Sequence, residues 1–317
     1  MLSIRSGAAS MPPSSSETFP VQMRSPRVGR RVLRRLLAAA LLLITIGAGP
    51  AAQGPETEPA QVQIARVDRA ARRPDGLWLG RLSIAAGRTV HNAGERRSYE
   101  LRWFQKGDRR RLDLYSARRG LEARVLYRDD GASIWFWDQT RFRLAHIRDG
   151  ERFRPVLQSG FYFADLAAQP LEQHYAAERR IERYQPAQPN AEVLQTEDAG
   201  AAPVGGFLRF FLRPVAAPVD SRAYGRIVVV IDPTRGDRLL RRDLFNADRV
   251  LTRTLRYHYD SEVLLRSTGA AQRPEGVATR LEMLDLVSGE NSVIEFHEFD
   301  DVGVVPDEFF EPDNLNR

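Results

Sequence analysis

Arg97-Ser-Tyr-Glu-Leu-Arg-Trp-Phe-Gln-Lys-Gly-Asp-Arg-Arg-Arg-Leu-Asp-Leu-Tyr115 is the stretch on which the reading of this chain turns. Tyr99, Leu101 and Trp103 alternate with Ser98, Glu100 and Arg102. Beyond Lys106-Gly107-Asp108, Leu112 and Leu114 alternate with Arg111 and Asp113. Period-two patterning sends successive side chains to opposite faces of a strand. Two such runs joined by a Gly-Asp turn describe an antiparallel hairpin with one apolar face and one charged face.

The same signature extends in both directions. Strands are expected over 77–85, 122–128, 133–137 and 142–147, divided by turn signals such as Arg119-Gly120 and Asp129-Asp130-Gly131. They resume over 191–196, 207–212, 226–231, 238–245, 250–259, 279–287 and 293–299. Between the two groups the alternation stops. Leu166, Leu171, Tyr175, Ala176, Ile181 and Tyr184 recur at helical intervals, which predicts one or two helices over 163–184, broken at Pro170. A further helix is expected over 61–73, with Val62, Ala65 and Arg69 on one side and Pro74 as its stop. About a dozen strands with one apolar face must curl or be covered, because a flat open sheet leaves edges and apolar area in water. The expected fold is therefore mainly β with a helical insertion. One large antiparallel sheet curls into a half-open, incomplete barrel, and the helices serve as its lid or plug.

Composition narrows the function. The chain has 317 residues, no cysteine and a formal net charge of +6. Without cysteine there is no disulfide scaffold, no thiolate metal site and no lipidated N-terminal cysteine. Residues 1–52 contain seven arginines and one glutamate, so the remaining chain carries forty basic and forty acidic residues and is neutral. The basicity gives no case for nucleic acid. It belongs to a targeting pattern: Arg24, Arg27, Arg30, Arg31, Arg34 and Arg35 precede an apolar run over 36–46, followed by small residues. That run is shorter than the roughly 20 residues of a spanning helix. The expected organisation is an N-terminal extension and signal peptide over 1–52, with a start at Met23 and cleavage near Ala51 or Ala52. A linker and helix follow over 53–75, then the half-barrel over 76–317. An uncleaved N-terminal anchor is the alternative. The working protein is expected in a bacterial periplasm.

No chemical constellation stands out. His91, His146, His174, His258 and His297 are scattered, and no phosphate loop, G-x-S-x-G or H-E-x-x-H is present. Glu295 and His297 share a strand face but read as part of a solvated charged surface. Asp129-Asp130 and Asp300-Asp301 sit at turns, where aspartate serves the backbone. No catalysis, cofactor or metal is expected. Charge segregates, with about +8 over 53–128 and about −8 over 129–317, and Arg109-Arg110-Arg111 is the densest basic cluster. Two readings follow: an anionic headgroup or acidic partner docks on the early strands, or the first and last strands neutralise one another. Ser133-Ile134-Trp135-Phe136-Trp137 carries large rings on both faces of one strand, so both faces are covered or one meets an apolar ligand.

The order of these motifs resembles the outer-membrane lipoprotein-sorting family, the LolA-like group. Asp129-Asp130-Gly131 and Ile134-Trp135-Phe136-Trp137 resemble its turn and aromatic strand. Ser159-Gly160-Phe161-Tyr162-Phe163-Ala164-Asp165-Leu166 is similar to its segment entering the helices. Ile227-Val228-Val229-Val230-Ile231-Asp232, the strands around 238–255, Leu281-Glu282-Met283-Leu284-Asp285 and the ending Pro306-Asp307-Glu308-Phe309-Phe310 continue the succession. Gln139 stands where the family often has a proline. The resemblance covers roughly residues 76–317 and implies an incomplete barrel holding acyl chains, without catalysis. The partners it implies are lipoprotein or lipid acyl chains and an envelope transporter or outer-membrane acceptor. A sensor or accessory subunit acting through protein contacts is the alternative. If the barrel is hollow, its wall is expected to carry Tyr99, Leu101, Trp103, Leu112 and Leu114, with Trp135 and Trp137 on a neighbouring strand.

Overall fold

The computed structural model describes residues 59–85, 96–167, 169–184, 206–216, 223–259, 266–267, 276–301 and 305–317. The expected targeting segment over 1–52 and the expected strand over 191–196 lie outside these residues.

The first six strands form a meander: β1 Gly76–Ala85, β2 Arg96–Lys106, β3 Arg109–Ser116, β4 Gly120–Arg128, β5 Ser133–Asp138 and β6 Arg143–His146. A covering segment follows, with two single-turn helices, α2 Phe163–Leu166 and α3 Leu171–His174; a longer helix, α1 Ala60–Ala71, precedes β1. The second run comprises β7 Tyr175–Tyr184, β8 Phe207–Pro214, β9 Arg226–Asp232, β10 Arg238–Phe245, β11 Leu251–His258, β12 Arg266–Ser267, β13 Arg280–Asp285 and β14 Asn291–Asp300. The strands pair in the order β6-β5-β4-β3-β2-β1-β14-β13-β11-β10-β9-β8-β7, with the short β12 beside β14. Every pairing on that path is antiparallel, and β12 runs parallel to β14. Among the described residues β6 and β7 are the two free edges, so the sheet curls without closing.

The first and last strands, β1 and β14, meet at a seam. There Trp78 pairs with Trp103 on one side and Phe299 on the other, and a register shift falls between Leu79 and Gly80. A Cβ on Gly80 would lie 2.5 Å from the Glu295 carbonyl oxygen, so the bulge admits only glycine without displacement.

Register assigns the two faces. Leu101 lies opposite Leu114 and Trp103 opposite Leu112. Leu112 in turn faces Val125, which faces Phe136. This row joins Phe210, Ile227, Val229, Leu244, Leu255, Met283 and Phe296 in one continuous core on the concave side. The cover presses on it. Ile64, Val67 and Asp68 form the buried side of α1, one helical turn apart, while Val62 is 48% exposed. The face grouped as Val62, Ala65 and Arg69 is therefore the outer one.

The helix expected up to residue 184 is overturned. Residues 175–184 pair as β7 with β8, with a bulge between Ala177 and Ile181. The Ala, Glu and Arg content of this stretch suits a helix, but propensity amounts to a few tenths of a kcal/mol per residue. Backbone pairing along an otherwise open edge of β8 outweighs it. Only the turns at 163–166 and 171–174 remain helical, on either side of Pro170.

The convex side carries a second, smaller core. Leu126, Trp137, Phe310 and Leu315 are buried together, with Phe104, Trp135, Leu144, Val305 and Phe309 packed around them. The C-terminal segment is strapped there by arginines of the early strands. Arg124 donates to the carbonyls of Leu315 at 2.7 Å and Arg317 at 2.6 Å, and Arg111 donates to that of Phe309 at 3.2 Å. Lys106 and Arg109 meet Asp307, and Arg128 meets Glu311 at 2.9 Å. The early positive and late negative regions of the chain thus neutralise one another across the convex face. Arg109 and Arg111 take part, whereas Arg110, between them, turns inward.

Candidate ligand-binding chamber

Two cavities lie between the concave face and its cover. The larger has a volume of about 480 Å³ and is walled by Phe153, Ala164, Leu171, Ile227, Leu244 and Leu255, with Arg152 and His174 among its polar groups. The smaller, about 80 Å³, lies beneath the end of α1 between Arg73, Trp103, Arg110, Phe161, Leu166 and Tyr257. Asp165, Gln169, Pro170, Arg242 and Leu255 line both, so the 165–170 strap separates two compartments of one chamber. A volume of 480 Å³ falls within the range of small-molecule sites.

Ion pairs fasten the cover over this apolar floor. Arg253 of β11 is 1% exposed. It donates to Asp165 at 2.8 Å and to the Gly160 carbonyl at 3.0 Å, and its guanidinium lies 3.3 Å from the Tyr162 ring centre. The Tyr224 hydroxyl donates to Asp165 and accepts from Arg253, closing a triad. Burial pushes the Tyr224 phenol well above its ordinary pKa. For Arg253 burial works against the charge, but Asp165 and the surrounding tyrosines more than reverse it and raise the pKa. The second fastening is Arg242 of β10, 2.8 Å from Asp68 of α1. Asp68 also accepts from the Leu171 amide at the start of α3. Burial raises the Asp68 pKa despite Arg242. Gln61 completes the lock, donating to the carbonyls of Glu172 at 3.1 Å and Tyr175 at 3.0 Å while accepting from Ala177 at 2.9 Å. The His174 pKa is lowered, by burial first and by Arg152 second.

The residues expected to wall the cavity divide between the two faces. Leu101, Trp103, Leu112 and Leu114 are buried on the concave side, and Tyr99 packs against them half-buried. Of these five, Trp103 lines the smaller cavity and none lines the larger. Trp135 and Trp137 are on the opposite face, opposite Leu126 and Arg124, within the convex core. Their placement with Leu101 and Trp103 is corrected: Ile134 and Phe136 are the inward members of β5. Both faces of that strand are apolar, so alternation alone could not choose between them. Arg73, Asp165, Tyr224 and Arg242, which line the chamber, and Arg253, which holds Asp165 beside it, were not singled out individually from sequence. Asp165 lies in the Ser159–Leu166 segment, and Arg110 in the arginine triplet on the face of Leu112 and Leu114, but neither signal reveals a cavity. Among the described residues no three His, Asp or Glu side chains converge as a metal site.

No family model matches the chain, and no curated protein matches it. Solved structures do. A domain described as outer membrane lipoprotein-sorting from Vibrio parahaemolyticus superposes with a TM-score of 0.57 at 14% identity, covering 81% of this chain and 98% of that one. A LolA superfamily protein from Nitrosomonas europaea gives 0.54 at 18% identity, covering 82% of this chain and all of that one. The chain has the LolA-like fold. A DUF1329 family protein from Desulfovibrio piger shares it, with a TM-score of 0.57 at 16% identity over 82% of this chain and 100% of its own. At 14–18% identity the likeness is one of architecture. In this LolA-like sheet the motifs of the resemblance fall at working positions: Asp129-Asp130-Gly131 turns β4 into β5, and Ser159–Leu166 forms the strap that carries Asp165. Gly131 has φ +81°, and a Cβ there would collide with the Ala167 carbonyl, so this turn is where the strap rests on the sheet.

Proposed function

We propose that this protein is a periplasmic carrier that takes up the acyl chains of a lipoprotein or another lipid, without catalysis. The observation that carries the reading is the 480 Å³ compartment with its largely aliphatic and aromatic wall, in a LolA-like fold, roofed by a segment that packs Ile64, Val67, Phe161 and Leu166 on the core and is tied down by the Arg253–Asp165 and Arg242–Asp68 pairs. Burial of apolar surface supplies the affinity, at roughly 0.8 kcal/mol per CH₂ as an upper scale. The roof, α1 with the segment 149–174, is the moving part. Chains enter as it lifts from β9–β11, and export follows from the N-terminal signal pattern. An envelope transporter or outer-membrane acceptor would then be its partner. The test is direct. The purified protein, extracted with organic solvent, should release acylated molecules detectable by mass spectrometry, and should bind a fluorescent fatty-acyl probe. Ala164→Trp, which fills the compartment from its wall, should weaken the probe by about tenfold or more while leaving the circular dichroism spectrum unchanged. A protein that is empty on extraction and indifferent to the probe would sink the proposal.

A further inference from the structure

The charges around the smaller cavity do not cancel. Arg242 is matched by Asp68 at 2.8 Å and Arg253 by Asp165 at 2.8 Å, and Arg72 at the rim meets Asp130 at 3.2 Å. Arg73 and Arg110 are left over: among the described residues neither has a carboxylate within ion-pair distance. Arg73 donates to the Ala278 carbonyl at 3.0 Å and sits 3.8 Å from the ring centre of Phe296, with Trp78 and Trp103 at 5.1 and 5.5 Å. Arg110 is 3% exposed, makes one long bond of 3.4 Å to the Leu166 carbonyl, and its Nε is buried with no hydrogen-bond partner. The acids that act on it from a distance are engaged elsewhere, Asp130 with Arg72 and Asp108 with Arg109 at 3.9 Å. Burial depresses the Arg73 pKa to about 9 and that of Arg110 to about 10, with Arg110 adding to the lowering at Arg73 and Arg72 to that at Arg110. A buried cation without a counter-charge costs several kcal/mol, and Arg110 is one; the half-buried Arg73 adds a second unmatched charge to the same small cavity.

We propose that the smaller cavity receives the anionic headgroup, a phosphate or chemically similar oxyanion, of the amphiphile whose chains occupy the larger compartment, and that Arg73 and Arg110 grip it. The site deepens the carrier reading and rests on it. Guanidinium forks match oxyanions in geometry as well as charge. The strap at 165–170 borders both compartments, so a headgroup on one side and chains on the other would bridge it.

The experiment compares dodecyl phosphate, dodecanol and inorganic phosphate on the full-length protein by calorimetry, below the critical micelle concentration, with Arg73→Met, Arg110→Met and the double variant. Wild type should bind dodecyl phosphate about tenfold or more tighter than dodecanol, as expected for charge-assisted hydrogen bonds. In the double variant that ratio should fall to about one while dodecanol affinity holds. Each single variant should also keep or raise the thermal midpoint, because it removes an uncompensated charge. A structural arginine would lower it. Equal binding of both amphiphiles by wild type, or a preference that survives the double substitution, overturns the headgroup site and leaves the carrier reading standing. Binding of inorganic phosphate but neither amphiphile keeps an anion site at the arginines and overturns the carrier reading. Binding of none overturns both.

Discussion

Replacing Arg253 with methionine would strand the Asp165 carboxylate beneath the cover, with only the Tyr224 hydroxyl and the Tyr162 amide left to bond it. Loss of one member of a buried ion pair is expected to cost about 3–5 kcal/mol. Urea unfolding of Arg253→Met measures it, and the double replacement with Asp165→Leu should recover part of the loss. Trp135 makes the opposite prediction for function. It packs in the convex core beside His146, at a ring separation of 4.6 Å. Trp135→Arg should therefore lower stability and leave acyl-probe affinity within about twofold of wild type, as read by parallel melting and titration. Legibility fails at single residues for a definite reason. In Arg109-Arg110-Arg111 the alternation sets the middle residue on the apolar face of Leu112 and Leu114, but does not show that a cavity awaits it there. What that face meets is known only once β3 is paired with β2 and β4 and the cover is in place, which brings Arg110 to the cavity shared with Arg73, Leu166 and Tyr257.

Elements are held by their turns and by cross-strand pairs. Gly131 is in the left-handed region with no room for a Cβ, so Gly131→Val should cost about 2–4 kcal/mol and raise amide exchange first over 163–167. Between β11 and β13, His258 lies 3.3 Å from Glu282, and Asn291 donates to the same carboxylate at 2.9 Å. The hydrogen bond from His258 is the largest influence. With burial opposing and Asn291 assisting, the Glu282 pKa falls to about 2 from an ordinary 4.5. A depressed carboxylate stabilises the fold above the unfolded pKa and loses that contribution as pH falls through the folded one. Stability should decline between pH 4.5 and about 2. Glu282→Gln should remove about 1 kcal/mol of that slope, the partly exposed pair being screened by solvent. Strands were legible here because alternation and turn residues are local signals. The stretch 175–184 was not, because its conformation is decided by the partner strand β8, more than twenty residues further along.

For the molecule as a whole, the C-terminal segment is the strap that lets a sheet with two apolar faces remain open. Its outer contacts to Asp307 are exposed, while the Arg111–Asp113 pair beneath it is buried at 2.7 Å. At 1 M salt the screening length is only about 3 Å. Raising salt from 0.1 to 1 M should speed amide exchange over 305–317 without moving exchange in β3 and β4, and removing those residues should expose Leu126 and Trp137 to a hydrophobic dye. Composition, the neutral balance beyond residue 52, the antiparallel class and most strand positions were determined by the sequence itself, because each rests on near neighbours and a two-residue period. Only the tertiary structure decided that Trp135 and Trp137 face outward, that 175–184 is a strand, and that Arg73 and Arg110 share a cavity. Alternation is symmetric between two faces, an edge strand takes its conformation from its partner, and unmatched charges become visible only when residues distant in the chain have been brought together.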